Sequence, residues 1–176
     1  MPWESFQPGM KLTAGRMLSI SPVWTDWTPV WTTSSGANTP SFGSNSTITA
    51  RWAQSATTIF WRLDIVFGST ANFGGGSGSD NWRISAPAPA AAVIGECGYG
   101  EIQKAAAPGG YTNSAGTRQP LRIRLTTTTT FEFEMSGGNI NAVSTATGAG
   151  LIDAVTPWAW DSGAALRAWG QYEAAA

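Results

Sequence analysis

The chain has no histidine, and Cys97 is its single cysteine. Without histidine it lacks the commonest general base and the commonest metal ligand, and no Ser-His or Cys-His dyad can form. A lone cysteine closes no intrachain disulfide, and a buried, inert thiol is the expectation for Cys97. Paired carboxylates of the glycosidase kind are what remains for catalysis. The acids to consider are Asp64, Asp153 and Asp161, but nothing in their spacing marks a pair, so a non-enzymatic protein with neither cofactor nor metal is expected.

Charge is scarce as well. Asp, Glu, Lys and Arg make up 12% of the chain, about half the share usual in soluble domains. The ten Lys and Arg do not cluster, and the formal net charge is −1. The basic stripe that releases counterions from a nucleic-acid backbone is therefore missing, and no nucleic-acid partner is expected. No apolar run approaches the roughly 18 residues of a membrane span, so no membrane insertion is expected. The amino terminus lacks a charged segment followed by an apolar one, which argues against a secretory signal.

Solubility must then rest on uncharged polar groups, and Ser, Thr, Asn and Gly are abundant. Such a surface is cheaper to bury against copies of itself than one rich in Lys and Glu, because desolvating a hydroxyl costs less than desolvating a charge. The 176 residues suit one domain with a sizeable core.

Two zones are expected, an amino-terminal arm over residues 1–22 and a β-sandwich domain over residues 23–176. In the arm, Thr13 is placed to cap a short helix through Ile20 that carries Met17 and Ile20 on one face. Gly15 weakens this helix, which needs a surface to dock on.

From residue 23 the hydrophobic period becomes two. Over residues 57–67, Ile59, Trp61, Leu63, Ile65 and Phe67 share one face, and Phe60, Arg62, Asp64 and Val66 share the other. Residues 47–53 place Ile48, Ala50 and Trp52 together, and the short connection at 54–56 predicts a hairpin. A second hairpin is expected over residues 121–135. Leu121, Ile123 and Leu125 lie on one face of its first arm, and Phe131, Phe133 and Met135 on one face of its second. With the turn centred on Thr128, Arg122 faces Glu134 and Arg124 faces Glu132. Opposite charges directly across a ladder stabilise it by about 0.2–1 kcal/mol each. A slip of one residue would put the apolar set on the wrong face, so these charges read as a register device rather than an active site.

Further strands are expected at 81–85, with Trp82 and Ile84 inward, at 93–102, Gly-rich and bulged, and at 165–173. Residues 151–155 and 158–160, separated by Pro157, are shorter candidates. Stretches rich in Gly, Ser and Asn at 68–80 and 136–150 read as exposed loops, the first with Phe73 as its one large apolar group. Eight to ten short strands joined by such loops predict an all-β, antiparallel sandwich or jelly-roll-like domain.

Ten tryptophans are many for one such domain. A buried tryptophan removes about 150–250 Å² from water, worth roughly 4–6 kcal/mol as an upper bound. Trp52, Trp61 and Trp82 fall on inward faces and belong to the core. Trp24, Trp27 and Trp31 share no parity, and Pro29 among them indicates an edge or entry strand. Trp158, Trp160 and Trp169, with Phe73, are the candidates for an oligomer or ligand surface. A contact between copies is the plainer reading of such a surface, and stacking on sugar rings the sharper one.

Several short motifs resemble a known family. Phe6-Gln7-Pro8-Gly9 with Leu12-Thr13-Ala14 resembles the amino-terminal signature of small minor tail or tail-fibre proteins of tailed phages, especially those infecting actinobacteria. Trp27-Thr28-Pro29-Val30-Trp31 resembles the domain that follows it there. So do the hairpin at 47–67 leading to Trp82, and the ending Pro157-Trp158-Ala159-Trp160-Asp161-Ser162-Gly163 with Gly170-Gln171-Tyr172-Glu173. The chain departs from that pattern in its Gly-rich segment at 107–117 and in lacking a long shaft. The resemblance implies a virion β-sandwich, often homotrimeric, in contact with other virion proteins. It implies that Phe6, Leu12, Met17, Leu18 and Ile20 serve attachment to the particle. A tail location with host-surface contact through the loops at 68–80 and 136–149 is the first expectation. A capsid decoration protein is its rival, and a carbohydrate-binding module that meets a host cell-surface glycan is a further alternative.

Overall fold

The computed structural model describes residues 8–11, 13–14, 21–75, 80–104, 118–135 and 150–175. The attachment candidates Phe6, Leu12, Met17, Leu18 and Ile20, most of the expected helix and the loop at 136–149 lie outside the described residues.

The fold is all-β and antiparallel. Its strands are β1 (Thr25–Asp26), β2 (Trp31–Thr33), β3 (Thr47–Ser55), β4 (Thr58–Val66), β5 (Trp82–Ser85), β6 (Ile94–Gln103), β7 (Arg118–Thr127), β8 (Thr130–Met135), β9 (Gly150–Leu151) and β10 (Ala165–Glu173). They join in one sheet of order β1-β3-β4-β10-β6-β7-β8-β5-β2, with β9 added to β8. The layered packing expected of a sandwich is supplied by this one sheet curling over, so that its two halves face each other across a common core. Trp61 of β4 thus stacks on Phe131 of β8 with ring centroids 4.2 Å apart.

A short corner accounts for the curl. β1 lies at one end of the strand order and β2 at the other, yet only residues 27–30 separate them. The Trp27 amide donates to the carbonyl of Ala50 in β3, and the Val30 carbonyl accepts from Ser85 in β5. Three peptide steps span at most about 11 Å, so the two flanks of the sheet must approach each other within that reach. Buried Pro29 sits at this corner. A proline is tolerated there because the ladder is interrupted.

Both expected hairpins form. β3 and β4 pair from Thr47↔Val66 to Ser55↔Thr58. The turn between them puts Ala56 at φ 52°, the left-handed region usually left to glycine. In the second hairpin Arg122 faces Glu134, and Arg124 faces Glu132, as the charge pattern requires. A register shift between Leu125 and Thr127 absorbs the threonine-rich turn.

β6 carries the expected bulge, between Ile94 and Gly98. Beyond it, β6 and β10 approach closely over Trp61. A Cβ on Gly98 would run into the Trp169 carbonyl and the Trp61 indole, and one on Gly170 into the Cys97 carbonyl.

The core takes up more tryptophan than inward strand parity indicates. Trp31, Trp61, Trp82 and Trp160 are all buried. Trp27, Trp52 and Trp158 are half-buried against the same cluster. At one end Trp82 meets Trp31 edge-on with centroids 4.6 Å apart, and it lies the same distance from Trp160. Phe67 and Phe73 fill the space around them. Edge-to-face and offset ring pairs of this kind add about 0.5–1.5 kcal/mol each beyond the area they bury.

Residues 158–160 form no strand. Instead, the chain after β9 turns on Asp153, whose carboxylate accepts from the amides of Val155 and Thr156 at 2.8 and 2.7 Å. The Trp160 indole donates to the Asp153 carbonyl at 2.9 Å. This turn drives Trp160 into the core and is the reason a period-two reading fails there.

Candidate functional site

The curled sheet has an inner face that forms the core and an outer face that collects much of the chain's scarce charge. In β4, Arg62 and Asp64 point outward between the buried Trp61, Leu63 and Ile65. In β10, Arg167 and Trp169 point outward between the buried Leu166 and Ala168. In β6, Tyr99 and Glu101 do the same next to Ile102.

Strand pairing places these side chains in two rows. Arg62, Trp169 and Tyr99 face one another across β4, β10 and β6, and Asp64, Arg167 and Glu101 form the row beside them. Together they line an open depression of about 650 Å³. The Trp169 residue is 63% exposed and Tyr99 49%, with ring centroids 6.4 Å apart.

The charges around the rings are paired. Arg167 contacts Glu101 at 3.0 Å and Asp64 at 3.5 Å, while Arg62 reaches Asp64 at 3.8 Å. The Gln103 side chain also accepts from Arg167 at 3.1 Å. The Tyr99 hydroxyl donates to the Glu96 carboxylate, and this bond holds the phenol above its ordinary pKa.

A denser charge cluster continues along the same face. Glu132 is almost fully buried, with its carboxylate 2.7 Å from Arg83 and 3.4 Å from Arg124. Glu134 pairs with Arg122. The hairpin pattern identifies two of these pairs, but the Arg83 bridge depends on β5 lying against β8, which no local pattern reveals. The network ties three strands in register and leaves no unpaired carboxylate in it.

The sequence candidates divide on this geometry. Trp169 is a surface residue, and the pairing of β10 with β6 sets Tyr99 beside it. Trp160 is 8% exposed and belongs to the core, so it is removed from the candidate surface. Phe73 is half-buried with its ring 6.1–6.3 Å from those of Trp31, Trp82 and Trp160, and Trp158 packs against Trp160. The loop that carries Phe73 is tied down as well. Asn45 accepts from the Thr70 amide at 3.0 Å, and Ser41 and Asn72 exchange backbone hydrogen bonds of 2.8 Å.

The acids are spread over different environments. Asp64 lies on the outer face, Asp161 is exposed after the Asp153 turn, and Asp153 is buried with both carboxylate oxygens engaged. Burial would raise the pKa of Asp80. Hydrogen bonds from the Ser35 amide at 2.8 Å and the Asn38 side chain at 2.6 Å outweigh it and hold the carboxyl well below the usual range. Burial, with the nearby Glu96 charge, pushes the Cys97 thiol up to about 12, so the thiol stays protonated and unreactive. Among the described residues no group of His, Cys, Asp and Glu is placed to hold a metal ion, and no helix is long and apolar enough to cross a membrane.

The chain matches no family model, no curated protein and no solved structure.

Proposed function

We propose that this chain is a non-enzymatic structural protein of a phage virion, carried on the tail, whose β-domain makes contact with the host surface. The observation that carries the contact role is the outer face of β4, β10 and β6. Trp169 stands there 63% exposed among charged neighbours, on strands that are fixed by the core beneath them. A large exposed ring contributes nothing to that core, whereas rigid aromatic rings are the usual anchors of recognition surfaces. The virion setting rests on the resemblance of the motifs at residues 6–14, 27–31 and 157–173 to phage tail proteins.

The described part of the arm supports a separate role for it. Residues 8–11, 13–14 and 21–22 are exposed, as befits a segment that hands its apolar groups to another virion protein. A homotrimer is the proposed assembly, supported by the shortage of surface charge, which lowers the cost of packing copies together. A non-catalytic role is supported by the absence of histidine and by the pairing of Glu132 and Glu134 with arginines.

Labelled antibody against the protein, applied to purified particles, tests this reading. Label at the tail tip or along the tail supports it. Label on the head faces alone makes the protein a capsid decoration protein, and unlabelled intact particles remove the virion role. Light scattering tests the assembly, since a monomer at micromolar concentration contradicts the trimer.

A further inference from the structure

We infer that the depression over Trp169 and Tyr99 is a binding site for a neutral sugar chain, with Trp169 as the stacking platform and Arg62, Asp64, Arg167 and Glu101 as partners of the sugar hydroxyls. This deepens the proposed contact role and rests on it for where the sugar is met.

Shape, charge and chemistry agree on this ligand. Adjacent strands lie about 4.8 Å apart and same-face neighbours along a strand about 6.7 Å apart, so the two rows of three side chains cover roughly 10 by 7 Å. That footprint is about one or two pyranose rings. One face of a pyranose presents C–H bonds with partial positive charge, which suit the negative face of an indole. Its hydroxyls radiate in the ring plane, where guanidinium groups donate and carboxylates accept. The depression is open rather than a closed pocket, which fits the interior of a chain better than its end.

The charge balance selects among sugars. Around the rings two arginines and two carboxylates are already paired with one another at 3.0–3.8 Å, and the Glu96 carboxylate at the Tyr99 hydroxyl is balanced by Arg122, which faces Tyr99 from β7. A polyanionic glycan would meet Asp64 and Glu101 as repulsive groups, and a polycation would meet the arginines. A neutral chain meets neither penalty. A protein partner would have to strip water from all four charged groups together, at a cost the two rings alone do not offset. Sugar hydroxyls replace that water with hydrogen bonds of the same kind.

Calorimetric titration of the purified protein tests the inference. The probes are neutral oligomers of glucose, mannose, galactose and N-acetylglucosamine, with oligogalacturonate as the anionic control. At least one neutral oligomer is expected to bind saturably. Trp169→Ala should weaken that binding about tenfold or more, and Tyr99→Ala should weaken it less. The urea midpoint of each variant reports its folding, and Tyr99→Ala carries the test if Trp169→Ala is unfolded. Silence from every neutral oligomer up to about 10 mM overturns the inference. So does binding that both variants retain, or binding of the anionic oligomer alone. These outcomes are read on free protein, so they stand apart from the antibody labelling that tests the virion role.

Discussion

Trp61 and Trp169 sit on neighbouring strands, one position out of register, and they have opposite fates. Gly170 pairs with Trp61, and Trp169 pairs with Arg62. The alternation of the pleat sends Trp61 inward to 1% exposure and Trp169 outward to 63%. Trp61 stacks on Phe131 across the core, whereas Trp169 leans toward Tyr99 over an open depression. The same residue type therefore serves folding on one face and is free for recognition on the other. Composition alone cannot separate the two roles, because only the sheet's parity and its curl do so.

The sharpest way to break the comparison is to truncate the inner ring. Trp61→Ala is expected to cost about 3–5 kcal/mol in urea unfolding, the range for removing a buried aromatic side chain. Its indole N–H finds no acceptor among the described residues, so Trp61→Phe should recover most of the loss. A Phe variant as unstable as the Ala variant would contradict this account of the inner face.

Next in size is Glu132→Ala, which leaves Arg83 and Arg124 without their shared carboxylate. The expected cost is about 2–3 kcal/mol, since hydrogen bonds to charged groups are worth more than neutral ones. A change under about 0.5 kcal/mol would mean that the cluster does not hold the three strands together.

Asp80 gives a smaller effect with a pH signature. Its folded pKa lies below its ordinary value, so its contribution is present above the unfolded pKa near 4 and is lost as pH falls through the folded value. Asp80→Asn should therefore cost about 1–2 kcal/mol at neutral pH. The gap from wild type should stay level down to about pH 5 and narrow below about pH 4. A gap that widens in acid would reverse the assigned sign.

Arg122→Ala should give the smallest change of the set in urea unfolding, because its pair with Glu134 lies at the solvent-exposed surface. The register of β7 and β8 should survive it, because Arg124 and Glu132 still face each other, and amide exchange across the hairpin would report a slip.

What could be seen in the sequence follows the same division. The hairpins were legible because their partners are close in the chain and their period is two. Arg122 opposite Glu134 needs only a turn at Thr128. Burial of Trp31 was hidden because it depends on the corner at residues 27–30 carrying the chain from one flank of the sheet to the other. Strand alternation does not reveal the burial of Trp160, because its setting comes from the Asp153 turn. Residues 27–31 turn the corner between the two flanks of the sheet and residues 157–163 carry Trp160 into the core, tasks that depend on the tertiary arrangement. Trp169 is a surface candidate from the sequence and is exposed in the structure. Tyr99 lies 70 positions from Trp169, and Glu101 lies 66 positions from its own partner Arg167, each pair joined by the pairing of β10 with β6.

The claim that one set of strands folds with its inner face and binds with its outer face is tested most directly on Trp169→Ala. Its urea midpoint and its calorimetric titration with the neutral oligomers should be measured on the same preparation. The expected result is stability within about 0.5 kcal/mol of wild type together with a loss of sugar binding. Stability lost on the scale of Trp61→Ala, or sugar binding left intact, would contradict it.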